Sequence, residues 1–320
     1  MTVLAAVLAL VAAALFAVAS VAQQRSAAMV SDDSARGLGL IRVLVRRPLW
    51  WAGLVGDAGG FAVQAAALGV GSLLLVQPLL VTTLLFALPL GARWVGRPLG
   101  RADWIWAVVL AVALAVFVVS GDPTEGVDRA GADAWLPTGS VLAGVLAVVL
   151  ITSVRARGTV RAVLLAAATA LCYGIAAALT KGVVDGLGDG LGVLLTAWET
   201  YALVAVSVLG TLLQQSAFQA GRLGASLPTM IVGEPLVAVA IGALVLQEEL
   251  RSDGAEWVLI AVLVVVMATA TIALARSSAR ATPQVAQAAR GVDGDATPPT
   301  ALGTSSSPTP GSARNPSAPA

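Results

Sequence analysis

The sequence predicts an all-α polytopic membrane protein of about nine transmembrane helices, built as two inverted four-helix repeats joined by a linker helix. Three observations predict it. The 320-residue chain is 58% hydrophobic, has a mean hydropathy of +0.89 and is only 12% charged. A soluble globular chain is typically about 45–50% apolar and about 25% charged. The apolar residues gather in runs long enough to cross a bilayer. The early and late runs also echo each other in outline.

The runs are residues 2–22, 49–69, 72–92, 104–120, 139–154, 162–183, 193–215, 225–246 and 256–276. All read as helices, because an open strand edge cannot face lipid and barrel strands are far shorter. The first run has Ser20-Val21-Ala22 near its end, a loose match to a signal-peptide cleavage site. It lacks a positively charged leader and is longer than a signal-peptide core, so it is read as a retained span. Trp50, Trp51, Trp94, Trp104, Trp135, Trp198 and Trp257 lie at or near run ends, where an interfacial aromatic belt is expected.

Charge sets the direction. One set of loops carries Arg25, Arg36, Arg42, Arg46, Arg47, Arg93, Arg97, Arg101, Arg155, Arg157, Arg161 and Arg222, and the flank after the last run adds Arg276 and Arg280. The other set carries only Arg129, Lys181 and Arg251, with acids such as Asp122, Glu125, Asp128 and Asp133. The positive-inside rule puts the first set in the cytoplasm. The expected topology has the N-terminus outside and the C-terminus inside a bacterial inner membrane.

Two domains follow. Residues 1–280 form the membrane domain, with a first repeat over about 1–120, the linker helix at 139–154 and a second repeat over about 161–276. Residues 281–320 are rich in Pro, Ser, Thr and Gly. Such a composition buries too little apolar area to order itself, so a disordered cytoplasmic tail is expected.

The repeat rests on ordered matches. Trp104 follows Asp103 as Trp257 follows Glu256, Gly71-Ser72 answers Gly224-Ala225, Gln64-Ala65-Ala66 answers Gln215-Ser216-Ala217, and Phe16 answers Tyr173. Two four-helix units joined by one helix point in opposite directions across the membrane. Inverted repeats of this kind build transporters, with substrate held near the midplane.

Two acids, Asp57 and Glu234, interrupt the apolar runs. At 1.5 Å per residue, Asp57 lies about 12 Å and Glu234 about 13 Å from the cytoplasmic start of its run. Both are therefore near the middle of a hydrocarbon core about 30 Å thick. Ionisable groups at that depth are costly and mark pathways for ions or substrates. Thr82 and Thr83 fall at a similar depth, with Gln64 and Gln77 nearer the outside. Pro78 and Pro235 follow Gln77 and Glu234 directly. Each proline removes a backbone hydrogen bond and frees a carbonyl one turn earlier. Carboxylates and freed carbonyls suit a hard cation such as Mg²⁺, which keeps several waters when bound. Asp57 and Glu234 are the candidate metal ligands, and the same acids could instead carry a proton. Structural acids hydrogen-bonded within the bundle are the plainer alternative.

Weaker candidates complete the set. Glu199, about one turn inside the outer face, is read as a snorkelling vestibule residue, Lys181 as an interface anchor, and Tyr173 as a cavity-lining or packing aromatic. Gly56 and Gly60 allow a close helix approach. Residues 186–192, Gly-Leu-Gly-Asp-Gly-Leu-Gly, lack the strand and Lys-Ser/Thr of a phosphate loop and read as a linker. The chain has no His and a single Cys, Cys172. That excludes Ser-His-Asp, Cys-His and HExxH chemistry, and no enzyme is expected. A net charge of +1 gives no field for nucleic acid.

The stretch 56–80 resembles the magnesium-transporter branch called NIPA within the drug/metabolite transporter superfamily. That branch has a Gly-Glu-x-x-Asn-Phe helix followed by a Leu-Val-Thr-Pro-Leu helix. Here Gly56, Asp57, Phe61 and neighbouring Ala62, then Leu75, Val76, Pro78 and Leu79, carry the likeness. Asp57 replaces Glu, Gly60 replaces Asn and Gln77 replaces Thr. Residues 223–250 look like the superfamily's helix that ends in Leu-Gly-Glu. The resemblance implies a secondary transporter working by alternating access, with no cofactor and with Mg²⁺ as one possible substrate. The competing readings are a proton-coupled carrier of a small organic metabolite or drug, and a non-transporting scaffold whose Pro-rich tail docks a partner. The expected partners are the lipid bilayer and a small-molecule or cation substrate; a homodimer is compatible with the sequence.

Overall fold

The computed structural model describes residues 2–28, 46, 48–95, 99–121, 123–124, 126–220, 223–250 and 256–294. Among them every regular element is a helix: α1 Thr2–Ala28, α2 Pro48–Leu68, α3 Leu73–Leu80, α4 Thr83–Val95, α5 Arg101–Gly121, α6 Ala132–Arg155, α7 Gly158–Gly188, α8 Leu191–Thr196, α9 Trp198–Ala220, α10 Leu223–Leu244 and α11 Glu256–Gly294. Residues 295–320, most of the expected tail, lie outside the described residues, as do Arg36, Arg42, Arg47, Arg97, Arg222, Arg251, Asp122 and Glu125.

Eight described helical segments are long and apolar enough to cross a membrane, so this is a multi-spanning membrane protein. The α2 helix is as long as several of them, at 21 residues, but stands outside that set. Asp57, Gln64 and its glycines lower its hydropathy, so the candidate residues of α2 weaken its signal as a span.

Two expected single helices are divided. The run at 72–92 forms α3 and α4, with Val81 and Thr82 between them. Pro78 cannot donate to the carbonyl of Leu74, one turn earlier. The chain then tightens to three-residue hydrogen bonds, Val81 N to Pro78 O at 3.2 Å and Thr82 N to Leu79 O at 3.0 Å. The run at 193–215 forms the short α8 and then α9, separated at Ala197, whose backbone is extended (φ −70°, ψ 128°). Helix α10 continues through Pro228 and Pro235 without a break. Helix α11 carries on past the apolar stretch to Gly294.

Glycines set the closest contacts. On α2, Gly53, Gly56 and Gly60 face Gln23, Ala19 and Phe16 of α1 in descending order, so α1 and α2 are antiparallel. A Cβ on Gly60 would lie 2.8 Å from the Phe16 ring. On α9, a Cβ on Gly210 would lie 2.8 Å from the Tyr173 ring of α7. Helix α1 also packs along α3 and α4, as α7 packs along α10. The main core joins these helices through Leu68, Leu73, Leu75, Leu110, Leu179, Ile241 and Leu274. Helix α6 stands at the edge against α7, with only Trp135 and Ser153 buried.

Trp51, Trp104, Trp198 and Trp257 are exposed, as an interfacial belt requires. Trp135 is instead buried, edge-on to Trp198 with ring centroids 5.9 Å apart.

Candidate functional site

Asp57 sits on the same stripe of α2 as Gly53, Gly60 and Gln64, all buried, since residues three, four and seven apart share a helix face. Asp57 itself is exposed. It lies at the edge of that stripe, since Leu54 and Phe61, three before and four after it, are exposed as well. Gln23 of α1 lies over Gly53, one turn from Asp57. Glu234, half-buried, comes from the middle of α10. Tyr173 of α7 lies within electrostatic range of both carboxylates. Its hydroxyl is 3.2 Å from Thr211 Oγ1 and donates to Gln214 Oε1 at 3.2 Å, both on α9. Helices α1, α2, α7, α9 and α10 thus each bring a polar side chain to one central region.

The other predicted residues lie elsewhere. Thr82 Oγ1 donates to Leu79 O at 2.6 Å and Thr83 Oγ1 to Leu80 O at 2.7 Å. Their hydroxyls thus satisfy carbonyls at the helix break. Gln64 is buried on the stripe of Asp57. Gln77 is 1% exposed, and its Nε2 has no hydrogen-bond partner among the described residues. Pro78 precedes the α3–α4 break, whereas Pro235 lies inside an unbroken helix. The 186–192 stretch is the turn from α7 to α8, with Gly190 at φ 111°.

Glu199 and Lys181 depart most from expectation. Glu199 does not snorkel: it is 3% exposed and takes Arg129 Nε at 2.7 Å and Nη2 at 3.1 Å. This two-point bond raises the Arg129 pKa above its ordinary value, with help from the charges of Asp185 and Asp189. Lys181 does not anchor at an interface. It is 1% exposed and donates to Glu248 Oε1 at 2.9 Å. Glu248 Oε1 also accepts from Leu73 N at 3.0 Å, and Oε2 from Leu74 N at 3.1 Å. Ser72 Oγ accepts from Leu75 N. Together they satisfy three of the N–H groups that a helix start leaves without partners, and a carboxylate suits the positive end of the helix dipole.

These charges gather at one end of the bundle, under a cover of two loops. Val127 N donates to Leu246 O at 2.7 Å and Thr124 N to Glu249 O at 2.8 Å. Gly126 lies against the Leu246 carbonyl with no room for a side chain. Asp128 Oδ1 is 3.5 Å from Lys181 Nζ. Helices of the two halves also meet at this capped end: Gly69, just past α2, against Val184 of α7, and Gly242 of α10 against Leu73 and Leu74 of α3. Among the described residues no group of three or more Asp, Glu, Cys or His side chains is placed to hold a metal ion.

Against known proteins, the chain is 36% identical over 249 residues to an uncharacterised protein of Corynebacterium glutamicum. The alignment takes in 77% of this chain and 86% of that relative. The chain belongs to that protein's family. No family model matches the sequence, and no solved structure does.

Sequence reasoning passed over Glu248. It comes just after the last apolar residues of its run, Val245 and Leu246, and looks like any loop acid. Gln247 has φ 54°, the left-handed region that glycine enters without steric cost. That conformation reverses the chain after α10, so that Glu248 N returns to Gly242 O at 3.0 Å and its side chain points inward.

Proposed function

We propose that the chain is a secondary transporter of the drug/metabolite type, moving a cation across the inner membrane by alternating access. The observation that carries this reading is that Asp57 and Glu234, one from each half of the chain, both lie within electrostatic range of Tyr173. Two carboxylates in the middle of apolar helices are an expected mark of an ion or substrate pathway.

The packing supports inverted repeats. Phe16 lies over Gly60 in the first half as Tyr173 lies over Gly210 in the second. In this register Gln64 answers Gln214, the residue bonded to Tyr173, rather than Gln215. Helices α2 and α7 run parallel, because Gly69 meets Val184 while Asp57 lies near Tyr173. Helix α1, antiparallel to α2, is then antiparallel to α7, its counterpart. Opposed units around a central site are the architecture of alternating access. The positive loops then face the cytoplasm, and the capped end, with Asp128 and Asp133, faces outside.

The substrate reading is a divalent cation such as Mg²⁺. With two carboxylates and no third, the site would leave most of the ion's waters in place, as Mg²⁺ prefers. A proton-coupled organic carrier is the second reading, because one of two neighbouring acids can hold a proton while the other binds. The scaffold reading rests on the tail, most of which lies outside the described residues.

Purified protein in sealed liposomes tests this. Saturable Mg²⁺ uptake without a proton gradient supports the cation reading. Uptake of organic solutes only under a proton gradient supports the second. Vesicles that take up neither contradict transport.

A further inference from the structure

The capped end holds a buried ionic cluster that the central site does not use. Lys181 and Glu248 have 1% and 0% of their side chains exposed, whereas Asp128 has 59% exposed. Glu248 does two things at once: it closes the N-terminus of α3, in the first half, and it pairs with α7, in the second. Its own loop is held down by residues 124 and 127. Glu248 thus ties the start of α3 to α7 across this end of the bundle.

We infer that Lys181 and Glu248 are the latch of a gate at the capped end, closed in this structure, with Glu248 as the positioning residue. Asp128 makes the latch reversible. It lies 3.5 Å from the same ammonium and reaches solvent. As α7 moves from α3, Lys181 passes from the buried carboxylate to the exposed one and is never left unpaired. Glu248 stays on the N–H groups of Leu73 and Leu74, so the start of α3 keeps its cap. Direct separation without this exchange would strand a charge in the bundle, which is strongly unfavourable. The Arg129–Glu199 pair, between the same covering loop and α9, holds the loop from the other side. This inference rests on the transporter reading for its purpose, but its test needs no substrate.

The probe is Ala177→Cys, one turn below Lys181 on the same face of α7 and buried, placed in full-length protein carrying Cys172→Ala. A membrane-impermeant maleimide is applied from the capped side in sealed vesicles. The native latch should protect the introduced thiol. Glu248→Gln and, separately, Lys181→Met should each raise the labelling rate at least about tenfold, the population change that ~1.4 kcal/mol produces. Adding Gly69→Cys with Val184→Cys, oxidised to join the end of α2 to α7 where the two chains touch, should restore protection, and reductant should remove it. A variant that fails to fold would label at the rate of denatured protein and would not be protected by the crosslink; the double variant Lys181→Met with Glu248→Gln, which leaves no unpaired buried charge, then decides. Rapid labelling with the native latch, or unchanged protection in both variants, overturns the gate. A gate that opens as described in a protein that moves no solute would overturn the transporter reading alone.

Discussion

Lys181 and Glu248, 67 positions apart, form an ion pair 2.9 Å long with almost no exposure to solvent. A buried pair of this kind contributes little net stability compared with apolar residues, yet losing one member is costly. Glu248→Ala should lower stability by up to about 3–5 kcal/mol, the usual cost of leaving a buried charge unpaired, less what the exposed Asp128, 3.5 Å from Lys181, offsets, and should also uncover two N–H groups of α3. The double variant Lys181→Met with Glu248→Gln should recover much of the loss. Thermal denaturation in detergent checks both. A double variant no more stable than Glu248→Ala would show that the helix cap, not the ion pair, dominates.

Gln247 should prefer to be glycine. A left-handed conformation costs a residue with a Cβ roughly 1–2 kcal/mol, partly offset by the added freedom that glycine gives the unfolded chain. Gln247→Gly should therefore be neutral or raise the melting temperature. Gln247→Val should lower it, because a β-branched residue fits this region worst.

Gly210 and Tyr173 touch so closely that a side chain at 210 must displace the ring. Gly210→Val should destabilise by about 1–3 kcal/mol, the range for overpacking. It should also weaken the hydroxyl contacts to Thr211 and Gln214. In the Tyr173→Ala background the same change should cost less than half as much. Equal costs in the two backgrounds would mean that the helices already part freely at this level.

Reporter fusions check the direction of the chain. A fusion after residue 280 should report the cytoplasm, and one within 122–131 the outside, following the loop-charge bias. The reverse pair of results would invert the membrane sidedness of both the central site and the capped end.

Much of the fold was legible because apolar runs of bilayer length have few other uses. The breaks were not. Ala197 ends α8 with no Pro or Gly at that position, and the α3–α4 break follows a proline by three residues, within a run of unbroken hydropathy. Asp57 and Glu234 were legible because charge in an apolar run is rare. Glu248 was not, because it follows the last apolar residues of its run and looks like any loop acid. Only the turn at Gln247 brings it back into the bundle. Lys181 misled for a related reason: long side chains at helix ends ordinarily reach for the interface, and the partner that holds this one inside comes from a distant loop. Under the proposed repeat, Gln64 pairs with Gln214 rather than Gln215, and Ala-rich helices align almost equally well at either shift. Rings over glycines, which only packing reveals, mark the better one.

The central claim is that Asp57 and Glu234 carry the transported cation. The most direct measurement is initial Mg²⁺ flux into liposomes holding Asp57→Asn or Glu234→Gln, beside native protein at equal density. Both substitutions keep size and hydrogen bonding while removing charge, and a neutral amide is cheaper to bury than a carboxylate. Flux near background is expected in both variants, with melting temperatures equal to or above native and no further stabilisation by Mg²⁺. Native flux in both variants would contradict the claim, and would make the two acids structural.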